Sequence, residues 1–401
     1  MTDLNPFSSP VAGLRRPTGL SRRGFLRGVG ATGAAAAGAS LLAACGSDDG
    51  GGDGGSSGGN DDPILNFANW PLYIDQLKGD QKAPGTTMAG FEDETGITVN
   101  YTEPVNDNEE YFAKIRPILA ADKDVGVDSF VLTDWMASKL INLGWLQKLD
   151  KANIPNFDNL VPKQQSPEFD PNRDYSIPWQ SGSTAIAYDA SQIDEVTSIN
   201  DLLTNPELNG SITVLKEMRD TMGLILLDQG ADPADFTDDE WASALSALQA
   251  AKDSGQIRQF TGNNYAQLLA KGDIKACIAW AGDVIQLQFD NPNIKYYIPE
   301  AGAMLWSDNM LIPINAQHKA NAEKWMNYYY DPKVAATLSL WVNYISPVAG
   351  AQEEVRKIDP ELADNPLIFP TEEDYSKLHI FRGLTDEEET KYASEFQDIA
   401  V

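Results

Sequence analysis

Between residues 64 and 144 short apolar runs of strand length alternate with longer stretches of helical period. No other feature of the chain constrains its fold as much. Ile64 to Ala68 predicts a strand, Met88 to Thr95 a helix with Gly96 as its left-handed cap, and Ile97 to Tyr101 a second strand. Tyr111 to Ala121 predicts a helix, Asp128 to Leu132 a strand, and Trp135 to Leu143 a helix closed by Gly144. Strands joined through helices return to the same end of a sheet, so the pattern implies mainly parallel strands with binding loops at their carboxyl ends. Trp70 with Tyr73, and Thr133 with Trp135, directly follow strands and fall at that end.

A second alternation begins later. Ser176 to Pro178 and Thr184 to Tyr188 have strand character and are placed to carry the chain between two lobes. Gly210 to Val214 predicts a strand, followed by the turn Leu215 to Asp220 and an apolar helix, Met222 to Leu227. Thr237-Asp-Asp-Glu240 is a capping box opening a helix with Trp241, Leu245 and Leu248 on one face. Ile274 to Trp280 predicts a strand, Gly282-Asp283 opens a helix, and Leu305 to Asp308 with Leu311-Ile312 predicts the return crossing. The stretch after Leu384 reads as a solvated helix start without a role.

The first residues are an address rather than part of the fold. Ser21-Arg22-Arg23-Gly24-Phe25-Leu26 is a twin-arginine pattern ahead of a small, weakly apolar run from Val29 to Ala44. The run ends in Leu42-Ala43-Ala44-Cys45, a lipobox whose cysteine thiol takes the lipid. Residues 1–45 are thus expected to be an export signal ending in the lipidated Cys45, giving a protein anchored to the outer face of the cell membrane. Residues 46–62 are almost only Gly, Ser, Asp and Asn and are expected to act as a flexible tether. A Gly/Ala-rich run is a poor membrane span.

About 340 residues remain, more than one core usually supports, so two lobes are expected. The chain carries 30 basic and 59 acidic residues. Removing the leader takes away five arginines and only Asp3, which leaves 25 against 58, a net charge of −33. Such a field repels nucleic acid and draws cations into clefts that focus it. With Cys45 carrying lipid, Cys277 is single, and its apolar run Ala276 to Trp280 marks it as core. The two histidines, His318 and His379, stand in polar surroundings away from any zinc-ligand spacing. No Gly-x-Ser-x-Gly, P-loop or Rossmann fingerprint occurs, so neither an enzyme nor a cofactor or metal protein is expected.

Several landmarks together carry a resemblance. They are Asn69-Trp70 with Tyr73, Glu94 to Val99, Leu146 to Asp150, and Phe169 to Asn172 with Tyr175 to Pro178. Trp280-Ala281-Gly282 and Trp306-Ser307-Asp308 with Ile312-Pro313 complete the set. From about residue 63 to 385 the chain resembles the polyamine-binding branch of the periplasmic binding proteins, the spermidine/putrescine-binding proteins of ABC transporters. The resemblance implies a type II solute-binding fold. Each of its α/β lobes is a mainly parallel sheet flanked by helices, and the ligand cleft lies between them. Residues 63–183 plus 308–350 would form lobe 1, and 184–307 plus 351–401 lobe 2.

It also implies roles for particular residues. Glu217 and Asp220 match acids that hold one amine end, and Asp308 matches one that holds another nitrogen. Trp70, Tyr73, Trp280 and Trp306 match aromatic walls, with Thr133 and Trp135 at the cleft edge. The chemistry suits a polyamine, because carboxylates pair with its ammonium groups and rings cover its methylenes. The partners expected are a small cationic ligand and an ABC permease in the membrane, with the binding protein itself a monomer. Glu217 and Asp220 also flank Arg219, so a local ion pair on a solvated turn is the plainer reading of those three residues. Aromatic platforms suit sugars equally well, so another solute on the same fold (a sugar, an amino-acid derivative or a metal chelate) stays open. Two departures bear on the choice of amine. Pro71 stands where relatives often have a polar residue, and Asp134 adds a charge beside Thr133 and Trp135.

Overall fold

A computed structural model describes residues 62–400. The expected export signal, Cys45 and the tether up to residue 61 lie outside them. Ten strands form one connected sheet: β1 Ile64–Ala68, β2 Thr98–Thr102, β3 Ser129–Thr133, β4 Ser176–Asp189, β5 Ile212–Leu215, β6 Ile257–Thr261, β7 Ala276–Trp280, β8 Ile294–Tyr297, β9 Ala303–Leu311 and β10 Leu378–His379. Their order is β2-β1-β3-β9-β4-β7-β5-β6, with β8 beside β4 and β10 beside β9. The helices that bear on the site are α1 Thr87–Thr95, α2 Asn108–Leu119, α3 Asp134–Asn142, α4 Met218–Asp228, α5 Asp238–Asp253, α6 Ala281–Gln288, α7 Lys319–Tyr329, α8 Pro332–Val342 and α9 Asp386–Ala400.

The outer strands on each side are parallel, as helical returns demand: β1 with β2 and β3, and β5 with β6 and β7. The two middle strands, β4 and β9, are antiparallel to each other and to β3, β7 and β8, with only the short β10 parallel to β9, and they belong to both halves. One end of β9 pairs with β3 over Asp308 to Leu311, while β4 turns its far end to β7 over Thr184 to Tyr188. The crossing pieces expected as separate strands are thus single long strands. In β4 the register shifts between Pro178 and Gln180, where proline has no N–H to give the ladder. Gly182 faces Trp306 in register, and a Cβ on it would sit 2.5 Å from that indole.

The helix ends follow the sequence signals. Gly96 caps α1 at φ 71°, and Thr237 and Glu240 close both bonds of the capping box on α5. Apolar residues of both halves join one core, in which Phe67, Trp179 and Trp325 are fully buried. The C-terminal helix differs from its expected solvated character. Tyr392, Phe396 and Ile399 of α9 are buried, with Tyr392 against Trp241 at 4.4 Å between ring centres. Among the described residues no helix is long and apolar enough to cross a membrane.

Candidate functional site

Four strand ends and one strand middle converge between the halves of the sheet. Trp70 and Tyr73 lie just past β1. Thr133 ends β3 and caps α3, Glu217 caps α4 after β5, and Trp280 ends β7 and caps α6. Trp306 and Asp308 are two apart on β9 and so face the same side. The helix-forming residues after β5 matter here. Glu217 is the N-cap and Asp220 lies in the first turn of α4, so both carboxylates stand at the positive end of a helix dipole.

Asp308 is held from the first half of the molecule. Tyr73 Oη donates to its Oδ2 at 3.0 Å and Thr133 Oγ1 to its Oδ1 at 2.7 Å. Asp220 is held from the second half, by Thr184 Oγ1 at 2.8 Å and Trp280 Nε1 at 2.9 Å. Thr184 Oγ1 also accepts from Trp306 Nε1 at 3.0 Å, which ties the two indoles to one carboxylate. Glu217 reaches across. Its Oε1 accepts from the backbone N–H of Asn108 at 3.0 Å and from Asn108 Nδ2 at 3.1 Å. The i, i+3 spacing therefore serves two different walls rather than aiming both acids at one.

Five rings line the gap. Trp280 meets Trp70 edge to face at 6.0 Å and Trp306 at 6.4 Å, and Tyr344 stands against Tyr73 at 5.2 Å and Trp306 at 5.5 Å. Burial pushes all three acids upward, Glu217 to about 8, Asp308 to about 7 and Asp220 to about 6. Among the described residues none of the three forms an ion pair within 4 Å. A buried carboxylate is costly until a proton or a cation offsets its charge.

The plain alternative for Glu217 and Asp220, a local ion pair with Arg219, is not what forms. Arg219 turns to Glu389 of α9, and its guanidinium carbon lies 4.0 Å from the centre of the Trp135 ring. Trp135 thus stands at the site's edge with one face covered. Asp134 accepts from Asn309 Nδ2 at 2.6 Å, and Asn309 in turn accepts from Arg173 at 2.8 Å. Its charge is tied into the network behind β9.

Four participants were not among the expected site residues. Asn108 links Glu217 to Thr133, donating to Thr133 Oγ1 at 2.9 Å. Thr184 links Asp220 to Trp306. Tyr344 closes the aromatic wall above Gly282, where a Cβ would meet its ring at 2.5 Å. Asp283 orients that wall by accepting from Tyr344 Oη at 3.0 Å and Tyr265 Oη at 2.9 Å. Only the first-turn position of Asp283 on α6, next to Gly282, offered a hint. Among the described residues no group of three or more His, Cys, Asp or Glu is arranged to hold a metal ion.

Comparison with known proteins gives the family and the fold. The family described as bacterial extracellular solute-binding protein matches residues 86–371. The spermidine/putrescine-binding periplasmic protein of Escherichia coli K12 is 30% identical over 311 residues, covering 77% of this chain and 84% of that protein. The putrescine-binding periplasmic protein PotF of the same organism is 29% identical over 333 residues, covering 78% and 85%. The solved structure of the spermidine/putrescine ABC transporter substrate-binding protein PotD from Streptococcus pneumoniae shares the fold. Its TM-score is 0.67 at 24% identity, over 84% of this chain and 98% of that one.

Proposed function

The chain belongs to the bacterial extracellular solute-binding proteins, and from that membership we propose that it captures a polyamine of the spermidine/putrescine class and delivers it to an ABC permease. The observation that carries the reading is the set of three buried carboxylates, Glu217, Asp220 and Asp308, under aromatic rings from both halves of the molecule. An ammonium over an aromatic face gains about 0.5–2 kcal/mol, and a desolvated carboxylate partner adds more. Trp70, Tyr73, Trp280 and Trp306 wall the methylenes, while Thr133 steadies Asp308.

The two lobes take the boundaries 63–183 plus 308–350 and 184–307 plus 351–401, and they close over the ligand about β4 and β9. Closure excludes water and strengthens each acid–ammonium contact. No bond is made or broken in this cycle, so the protein acts as a carrier and not as an enzyme. Export, attachment through Cys45 and the tether of residues 46–62 keep a monomeric carrier beside its permease. Calorimetric titration of residues 63–401 with spermidine, putrescine and maltose at two salt concentrations tests the reading. Micromolar or tighter binding of an amine, weakened by salt and absent with maltose, is expected. Silence with both amines sinks the polyamine assignment.

A further inference from the structure

Three side chains at the cleft edge do something other than line it. Trp135 lies in the first turn of α3, in the half built on β1 to β3, and Arg219 in the first turn of α4, in the other half. The guanidinium carbon of Arg219 lies over the Trp135 ring, 4.0 Å from its centre, a cation–π contact that gains when it is shielded from water. Arg219 is only 13% exposed and is ion-paired through Nη2 with Glu389. Glu389 is itself carried on a docked element. Along α9, Tyr392 Oη donates to Asp238 at 2.6 Å and Glu395 accepts from Trp241 Nε1 at 2.7 Å, both partners being on α5. The guanidinium is therefore aimed from the second half and received by the first.

Other groups around the pair do not provide this link. Lys139 sits 6.0 Å from the Trp135 ring, but it belongs to α3 itself and is drawn to Glu109 at 3.1 Å. Phe381 lies 5.9 Å from the Arg219 guanidinium, on the same side as Glu389. The Trp135–Arg219 contact joins the two halves here beside the Asn108–Glu217 hydrogen bonds, and the ring face that Arg219 covers is closed to a ligand.

We propose that Glu389, Arg219 and Trp135 form an interlobe latch that sets the balance between open and closed protein, with Trp135 a positioning residue rather than a ligand wall. The inference rests on the proposed closure of two lobes, but not on which solute is bound. Since a pair contact of this kind is lost as a unit, each partner's removal should cost about the same. In the full chain, Arg219→Met, Trp135→Leu, the double variant and Glu389→Gln are compared by two readouts. The first is the dissociation rate of spermidine. It should rise on the order of tenfold in either single variant and no further in the double, with a smaller rise in Glu389→Gln. The second is the distance between spin labels placed on the two lobes without ligand, which should shift toward the longer population in the same order.

If Trp135→Leu speeds dissociation and Arg219→Met does not, Trp135 is a ligand wall and the latch is wrong. Unchanged label distances in Arg219→Met overturn it as well. If no amine binds the unaltered protein, the polyamine reading fails while the label distances still decide the latch.

Discussion

Each of the three site acids is kept near neutrality by its surroundings, and this has a consequence for binding. The carboxyls of Asp220, Asp308 and Glu217 are pushed up to about 6, 7 and 8, burial being the first cause in each. An ammonium beside them favours the charged form and lowers those values again, so capture of the cation releases protons. Affinity should therefore climb as pH rises from 5.5 to 8.5, before the amines, of ordinary pKa about 10, lose charge themselves. Titration at pH 7 in buffers of different ionisation enthalpy should report net proton release. A proton count of zero with a flat pH profile would show the acids already ionised. The residue types behind this behaviour were legible in the sequence, since Glu217, Asp220 and Asp308 accompany aromatics in recognisable order. Their partners were not. Asn108 and Thr184 are ordinary polar residues, and only pairing across 109 and 36 positions gives them a role.

The elements show why some strands could be read and others could not. β1, β3, β5 and β7 are short and buried, and each runs into a loop or a helix start, so the apolar run and the cap mark both ends. β4 hides behind Pro178 and Gly182, residues that break a strand pattern and are accommodated here by a register shift and by the indole of Trp306. α9 was misleading in a different way, because its first turn is strongly acidic while its burial depends on Phe236, Trp241 and Phe260 elsewhere in the chain. Another close approach lies between the loop after β6 and the entrance to α2. A Cβ on Gly262 would fall 2.8 Å from the backbone oxygen of Asn106, with no room for either chain to yield cheaply. Gly262→Ala should hold these segments apart and weaken amine binding by tenfold or more, with the ligand-free thermal melt little altered. Binding within twofold of the unaltered protein would show that this contact plays no part in closure.

For the molecule as a whole, the buried acids make the ligand-free state sensitive to alkali. Their folded pKa values lie above the unfolded ones of about 4, so the folded state holds more protons between pH 4 and 8. Their contribution to stability is present at low pH and is lost as pH rises through that window. Glu217→Gln combined with Asp308→Asn should therefore raise the melting temperature at pH 8 by several degrees and leave it nearly unchanged at pH 4.5, as scanning calorimetry would show. An equal shift at both pH values would point to packing instead of charge. The sheet also governs the order in which the chain is assembled. Thr133 finds its partner Asp308 only 175 residues later, whereas β5, β6 and β7 meet within a single contiguous stretch. On a growing chain β5, β6 and β7 are all made while the half begun first still lacks its pairing with β9, and α9, which docks on α5, comes last of all. That earlier half stays unfinished until β9, α7 and α8 have emerged, and the long wait favours slow folding with exposed strand edges. The binding site, built from both halves, cannot exist before them.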